Sequence, residues 1–278
     1  MPPNLPSGIT VLYLIATPIG NLSDISLRAL ETIKSCDYLL CEDTRRSLIL
    51  LDHYEIKKKL ISYHQFNEAQ RLDKIIDDLK QGLTIGLLSD GGSPAICDPG
   101  EPLTKACIKE NLHFTIIPGP AALIQALILS GLPLCPFQFL GFMPRKESEI
   151  LALLPYTLSF PGTSIFYESP QRLTETLNVL SQAAPFIEVA VARELTKTFE
   201  EVIRLPISEA LKHFQETPPR GEIVLLIKGM QNPFEGKEPK ELVEELIEVY
   251  KIPLSSAIKT AGHLLKMPKQ SIYKHFHE

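Results

Sequence analysis

Short, continuously apolar runs recur through the first half of the chain, each closed by a polar or glycine-rich stretch. They are VLYLIA (11–16), YLLC (38–41), KLISY (59–63), LTIGLL (83–88) and HFTIIP (113–118). Runs of this length without polar alternation predict strands buried on both faces. Between them the spacing turns helical. Ser26 to Ser35 places Leu27, Leu30 and Ile33 on one face, and Asn67 to Lys80 does the same with Leu72, Ile75, Ile76 and Leu79. Strands alternating with helices predict a mainly parallel sheet with helices on both sides, an α/β fold.

The second half has a different pattern. TSIFYES (163–169), IEVAVAREL (187–195), FEEVIRL (199–205) and GEIVLLIKG (221–229) read as strands. Two of them are separated only by TKT, which predicts a hairpin and a mixed sheet. The long apolar stretch at 121–142 is interrupted by Gln125, by Ser130-Gly131 and by Pro133 and Pro136. A bilayer span needs about 20 uninterrupted apolar residues, so this stretch reads as a buried helix, a turn and a strand. The Pro- and Gly-rich change near Leu132–Cys135 sets an expected boundary between a domain at 1–133 and another at 134–230.

Residues 231–278 form a third region. Leu242, Val243, Leu246 and Ile247 have helical spacing in an acidic segment. A tail with Leu254, Ile258, Leu264, Leu265, Ile272, Tyr273 and Phe276 follows, turning at Met267-Pro268. The tail carries five lysines against one acid over 251–278 and resembles a small helix-turn-helix with a basic face. The expectation is an appendage, dispensable for folding, that holds nucleic acid or covers an apolar patch.

Composition narrows the function classes. The net charge of −5 over 278 residues gives no overall field favouring nucleic acid, so a basic partner surface has to be local. Cys36, Cys41, Cys97, Cys107 and Cys135 form no C-x-x-C pair and read as buried, reduced thiols. The first ten residues, MPPNLPSGIT, lack the basic start and apolar core of a signal peptide, so a cytoplasmic location is expected. His275 and His277 lack a third ligand, and no metal is expected.

Candidate chemistry lies in three loops that follow strands: ATPIGNL (16–22), SDGGSPAICDPG (89–100) and PGPAAL (118–123). In an open α/β sheet, ligands bind beyond the carboxyl ends of the strands. Gly and Pro bring bare backbone close to a ligand and stiffen it. Neither G-x-G-x-x-G nor G-x-x-x-x-G-K-[ST] occurs, which disfavours a phosphate cradle. The carboxylate of Asp90 argues the same way, because it suits an amine or a ribose hydroxyl and repels phosphate.

The blocks TPIGNLSDISLRALE, CEDTR, LSDGGSPAICDPG, PGPAA, FYESPQRL, VARELTK and PPRGEIVL occur in this order from about Leu12 to Lys228. Together they resemble the bacterial small-subunit ribosomal RNA (cytidine-2′-O)-methyltransferases, a branch of the tetrapyrrole-methylase superfamily. The resemblance implies two α/β domains with S-adenosylmethionine in the cleft between them, and no metal. It implies a homodimer and, as substrate, a cytidine in the decoding region of 16S rRNA in the small ribosomal subunit. Carried over by position, the donor contacts are Pro18, Ile19 and Gly20; then Ser89, Asp90, Gly91, Ser93, Pro94 and Ala95; then Ala121 and Ala122. From the second domain come Tyr167, Leu195, Gly221, Glu222 and Ile223.

Methyl transfer to a ribose hydroxyl calls for a proton acceptor. The polar candidates are Glu42, Asp43, His64, Glu168, Glu194 and Lys197. Each also has a structural reading: Glu42 and Asp43 as caps of a helix beginning near Arg46, Glu194 and Lys197 as a pair across the hairpin. Candidate RNA phosphate contacts are Arg45, Arg46, Arg145, Lys146, Arg172, Arg193, Lys197 and Arg220. Three positions depart from the family pattern. Phe66 replaces a common histidine, Ala121 replaces a common serine, and residues 147–162 form a shorter, apolar segment broken by Pro155. Two other readings share these features: a tetrapyrrole C-methyltransferase on the same fold, and a non-catalytic RNA-binding assembly factor.

Overall fold

The computed structural model describes residues 11–230 and 233–277. The chain divides after Ala122 into two compact units.

In the first unit β1 (Leu12–Ile15), α1 (Leu27–Ser35), β2 (Tyr38–Cys41), α2 (Thr44–His53), β3 (Leu60–Ser62), α3 (Glu68–Lys80), β4 (Ile85–Leu88), α4 (Glu101–Lys109) and β5 (Phe114–Ile117) follow one another. The sheet order is β3-β2-β4-β1-β5, and every pairing is parallel. Successive strand residues point to opposite faces. Leu12 and Leu14 therefore join Leu40, Ile76, Leu79, Leu87 and Leu103 in one core, while Tyr13 and Ile15 join Ile33, Leu39, Cys41 and Leu51 in another. Both cores need apolar partners, which is why the strands show no alternation. Helix α1 begins where Ser26 Oγ accepts the Ala29 N–H at 3.1 Å, as an N-cap should.

The second unit contains α5 (Ala122–Ser130), β6 (Phe137–Phe142), α6 (Glu147–Ser159), β7 (Thr163–Glu168), α7 (Pro170–Ala183), β8 (Glu188–Arg193), β9 (Glu201–Pro206), α8 (Ile207–Glu216), β10 (Ile223–Lys228), α9 (Pro239–Glu248), α10 (Leu254–Leu264) and α11 (Lys269–His277). Its sheet runs β6-β7-β10-β8-β9. The β6–β7 pairing is parallel and the other three are antiparallel, the mixed sheet that the hairpin implied. The 121–142 stretch is the expected helix, turn and strand. Among the described residues no helix is long and apolar enough to cross a membrane.

Several expectations differ from the structure. The division falls at the first residue of α5, whereas the sequence put it after Pro133. The Pro-Gly segment is a turn held inside the second unit, with Thr163 Oγ1 donating to Pro133 O at 2.7 Å and Arg204 Nε donating to Leu129 O at 3.0 Å. Pro155 does not break α6, which runs through it. Ile150, Leu151, Leu154 and Leu158 of that helix are buried, and their burial outweighs the roughly 3 kcal/mol cost of an internal proline. Cys97 and Cys135 are exposed rather than buried, and Cys36, Cys41 and Cys107 are buried; all five are free thiols.

The tail is not a separable appendage. Leu242, Val243, Leu246, Ala257, Ile258, Ala261, Leu264 and Ile272 share one core with Leu154, Leu225 and Ile227. The Tyr156 hydroxyl meets Thr260 Oγ1 at 3.0 Å, tying α6 to α10. The side chains of His275, Phe276 and His277, and residues 1–10, lie outside the described residues.

Candidate active site

The ends of β1, β4 and β5 lie side by side, with Ile15 opposite both Leu88 and Ile117. Their loops meet there. Thr17 N–H donates to Gly92 O at 2.9 Å and Gly92 N–H returns a bond to Thr17 O at 3.0 Å. Thr17 Oγ1 adds a bond to Ser89 O at 2.9 Å, and Ser89 Oγ accepts the Gly91 N–H at 2.9 Å. The third loop closes on the first two. A Cβ at Gly92 would lie 3.5 Å from Ile19 and 3.6 Å from Pro120 O, and one at Gly119 would come within 2.9 Å of the Ala16 methyl.

The middle loop takes an unusual path. Gly92 (φ +93°) and Gly100 (φ +137°) need the freedom of glycine, and Ala95 (φ 66°) and Cys97 (φ 61°) hold left-handed conformations without it. Such strain concentrates at functional sites. Ile19, Ser89 and Pro94 are buried. Pro18, Ser93, Ala95, Ala121 and Ala122 are half-buried, and Gly20 and Gly91 are exposed. The result is a bare backbone surface bordered by acids, suited to a neutral or cationic ligand with hydroxyl and amine groups.

Four carboxylates border this surface. Asp90 Oδ1 accepts the Asp43 N–H at 3.1 Å, and its Oδ2 stands 3.9 Å from Arg46 Nε. Asp43 caps α2: its Oδ1 accepts the Arg45 N–H at 2.9 Å, and its Oδ2 pairs with the Arg45 guanidinium at 2.7 Å. These bonds hold its carboxyl down at about 2. Asp43 thus has the capping role, and the bonds that hold its carboxyl down argue against it as the proton acceptor. Glu42 is shifted the other way, raised by burial and then by Asp90, against the opposing charges of His64 and Arg46. Asp98, absent from the candidates, is pushed up to about 6 by burial, with Glu42 and Asp90 adding to the shift and a bond from Ser89 opposing it. The sequence signal for it was its place in the same CDPG loop as Asp90; its burial was not legible there.

His64 follows β3. Asn67 Oδ1 accepts the His64 N–H at 2.9 Å and Asn67 Nδ2 donates to Ser62 O at 3.2 Å, which fixes the orientation of the amide. Asn67 Nδ2 also faces His64 Nε2 at 3.2 Å. An amide donor requires a lone pair there, so neutral His64 carries its proton on Nδ1. That Nδ1 is buried and has no hydrogen-bond partner among the described residues. His64 is thereby a hydrogen-bond donor, and the tautomer that would make Nδ1 a base is disfavoured.

In the second unit the candidates cluster at the end of the sheet where β7 and β8 finish and β10 begins. Glu168 is buried. Its oxygens accept from Ser169 N–H at 2.7 Å and Thr176 Oγ1 at 2.6 Å, and Arg172 Nη1 is 3.2 Å away. Its carboxylate is fully engaged, which argues for a structural role and against proton acceptance. Arg172 also binds the Met143 and Pro144 carbonyls, so it is an internal clamp rather than a phosphate contact.

Glu194 and Lys197 pair at 2.9 Å, three residues apart within the β8–β9 connection rather than across the hairpin, and Lys197 Nζ also reaches Glu222 at 3.0 Å. Burial pushes the Glu194 carboxyl up, but Lys197, the Glu222 N–H and Arg193 outweigh it, and the net shift is downward. For Lys197 burial lowers the ammonium, and the two glutamates reverse this. Arg193 pairs with Glu201 at 2.5 Å. Tyr167 is half-buried between Phe139 and Phe142, with ring centroids 4.9 and 5.6 Å away, and Leu195 and Ile223 are buried. Arg145, Lys146 and Arg220 are exposed, and Lys146 pairs with Glu149 at 3.1 Å. Among the described residues no group of three or more His, Cys, Asp or Glu could hold a metal ion.

The pattern of the tetrapyrrole (corrin/porphyrin) methylases matches residues 11–211, and the chain belongs to that family. Within it the chain is 41% identical over 274 residues to the ribosomal RNA small subunit methyltransferase I of Halalkalibacterium halodurans, covering 96% of this chain and 94% of that protein. It is 39% identical over 274 residues to the protein of the same description from Vibrio cholerae, covering 97% and 95%. Two solved structures share the fold. Diphthine synthase aligns with a TM-score of 0.65 at 11% identity over 95% of this chain and 99% of its own. Uroporphyrin-III-C-methyltransferase from Thermus thermophilus gives 0.54 at 21% identity over 79% and 94%.

Proposed function

We propose that this chain is an S-adenosylmethionine-dependent methyltransferase acting on the ribose 2′-hydroxyl of a cytidine in the decoding region of small-subunit rRNA. It works in the cytoplasm as a homodimer, as the family resemblance implies. The observation that carries the reading is the convergence of the three loops through Thr17, Gly92 and Pro120, in a chain whose near-full-length relatives bear an rRNA methyltransferase description. The loops fit the donor. Their glycines let the three loops pack against one another with bare backbone, and the surrounding carboxylates favour its positive charge.

When bound, S-adenosylmethionine supplies a methyl group on a cationic sulfur. The three loops would hold it by backbone groups, with the remaining lone pairs of Asp90 free to accept from a donor hydroxyl or amine. With the donor bound, Glu42 would take the hydroxyl proton as the methyl passes from sulfur to the ribose oxygen, the electron pair of the broken carbon–sulfur bond staying on sulfur. Burial and the neighbouring Asp90 raise its carboxyl, which makes it a stronger base than an ordinary glutamate. His64 donates through Nδ1 and orients an oxygen acceptor. Alignment of the two reactants supplies much of the remaining acceleration.

Ribose-methylation mapping of rRNA from a deletion strain tests the proposal. One 2′-O-methylcytidine should vanish from the small subunit, return with the wild-type gene, and fail to return with E42Q. Loss of no ribose methyl would sink the reading in favour of an assembly factor. A visible absorbance change with a precursor tetrapyrrole would favour C-methylation.

A further inference from the structure

Phe199 stands in the connection between β8 and β9 with 73% of its surface exposed. The loop that carries it is tightly fixed. Lys197 N–H bonds Glu194 O at 3.0 Å, Glu200 N–H bonds Lys197 O at 3.1 Å, and Thr196 N–H bonds Glu200 Oε2 at 2.7 Å. Glu194 (φ 51°) and Thr196 (φ 66°) hold left-handed conformations, and the Lys197 ammonium joins Glu194 to Glu222 beneath them. A phenyl ring is thus held out in water by a loop with little freedom to fold it back.

Its position gives that ring a use. The loop leaves the sheet where Arg193 and Glu168 flank Ile223, the end that also carries Tyr167, Leu195 and Gly221. Phe186, more exposed still at 90%, precedes β8 and so lies at the opposite end. The cations beside Phe199 are already engaged: Arg193 by Glu201, Lys197 by two glutamates. With those charges neutralised, phosphate attraction within this loop is weak, and its exposed ring offers a nucleotide an apolar face to stack on. Unpaired bases in RNA are bound by stacking on such rings.

We infer that Phe199 is a stacking platform for an unpaired base of the RNA substrate. This deepens the rRNA reading and rests on it, but its test does not depend on methylation. The chain has no tryptophan, so F199W creates a protein with one indole, at this position. Its emission should be quenched by a short single-stranded oligocytidylate and by isolated small ribosomal subunits.

F199A should weaken binding of both probes by roughly 5- to 100-fold, the loss of one stacked base. Affinity for S-adenosylmethionine by calorimetry and the unfolding midpoint should stay unchanged. F199Y should bind like wild type, and F199L, apolar but unable to stack, like F199A. Unquenched F199W emission would overturn the inference. So would wild-type affinity for both probes in F199L, because a side chain that cannot stack would then serve as well as the ring. Quenching that persists in a protein whose deletion removes no ribose methyl would uphold the stacking and defeat only the proposed enzymatic reading.

Discussion

The carboxylate of Glu194 fills the space that a side chain at Gly221 would need: a Cβ there would lie 2.0 Å from Oε1 and 2.2 Å from Cδ. Gly221 has φ +86°, and the neighbouring Glu222 N–H donates to the same Oε1 at 3.1 Å. G221A should therefore displace Glu194 and loosen Lys197 with it, while also straining the backbone. We expect a loss of about 1–3 kcal/mol in urea unfolding of the full chain. An unchanged midpoint would show that the loop can rearrange freely.

Asp90 has both a structural bond and a proposed ligand role, and two variants separate them. D90N keeps an oxygen acceptor for the Asp43 N–H, while D90A removes it. If Asp90 contacts the donor by a charge-assisted bond, D90A should weaken binding of S-adenosylmethionine by about 1.5–3 kcal/mol, roughly tenfold or more. D90N should fall between. Calorimetry giving wild-type affinity for D90A would confine Asp90 to holding α2.

Asp98 should make the protein's stability depend on pH. Its carboxyl rises from 3.8 unfolded to about 6 folded, so the folded state binds more protons across that window. Stability from the protonated form is complete below pH 3.8 and is lost as pH rises through about 6. D98N, neutral throughout, should exceed wild type by up to about 3 kcal/mol at pH 7, less what solvent screens at this half-buried carboxyl, and the gap should close near pH 4. Denaturant unfolding at both pH values checks this. A gap independent of pH would mean the carboxyl is not shifted.

His64 should behave as a donor. In H64N the amide can place an N–H near the position of Nδ1, whereas H64A has nothing there. We expect H64N to retain most single-turnover methylation and H64A to lose about tenfold or more. Equal loss in both, with an acid limb following imidazole titration in wild type, would make His64 the base instead of Glu42.

The tail should be required for folding. Leu246 is fully buried in the second unit's core, so L246A should cost about 2–5 kcal/mol. A chain ending at Lys228 would expose the apolar face of the sheet and should be insoluble. Lys259 of α10, Lys266 in the turn that follows and Lys269 at the start of α11 are exposed. Neutralising any one should lower the salt slope of subunit binding by about 0.7–0.9 for each phosphate that it pairs with in the wild-type complex. Neutralising the ion-paired Arg193 or Lys197 should change it less. Slopes unaffected by the tail lysines would assign the tail to packing alone.

Periodicity determined the parts of this fold that depend on burial. Leu12 to Ile15, Tyr38 to Cys41 and Ile223 to Lys228 are strands because their sequences are apolar on both faces, and the α3 stripe from Leu72 to Leu79 reports its helix in the same way. The three loops were also legible, because Gly and Pro mark backbone that must bend or lie bare. The fate of each polar group was not, since it depends on partners far away in the chain. Asp90 meets Asp43 across 47 residues, Lys197 meets Glu222 across 25, and Asp98 is raised by a burial that no local pattern encodes. Sequence named Glu42, Asp43, His64 and Glu168 as equals. Only the tertiary structure separated a capping residue, a donor tautomer, a buried and fully bonded carboxylate and a glutamate with a raised carboxyl, because a carboxylate's chemistry is fixed by the hydrogen bonds and charges that surround it.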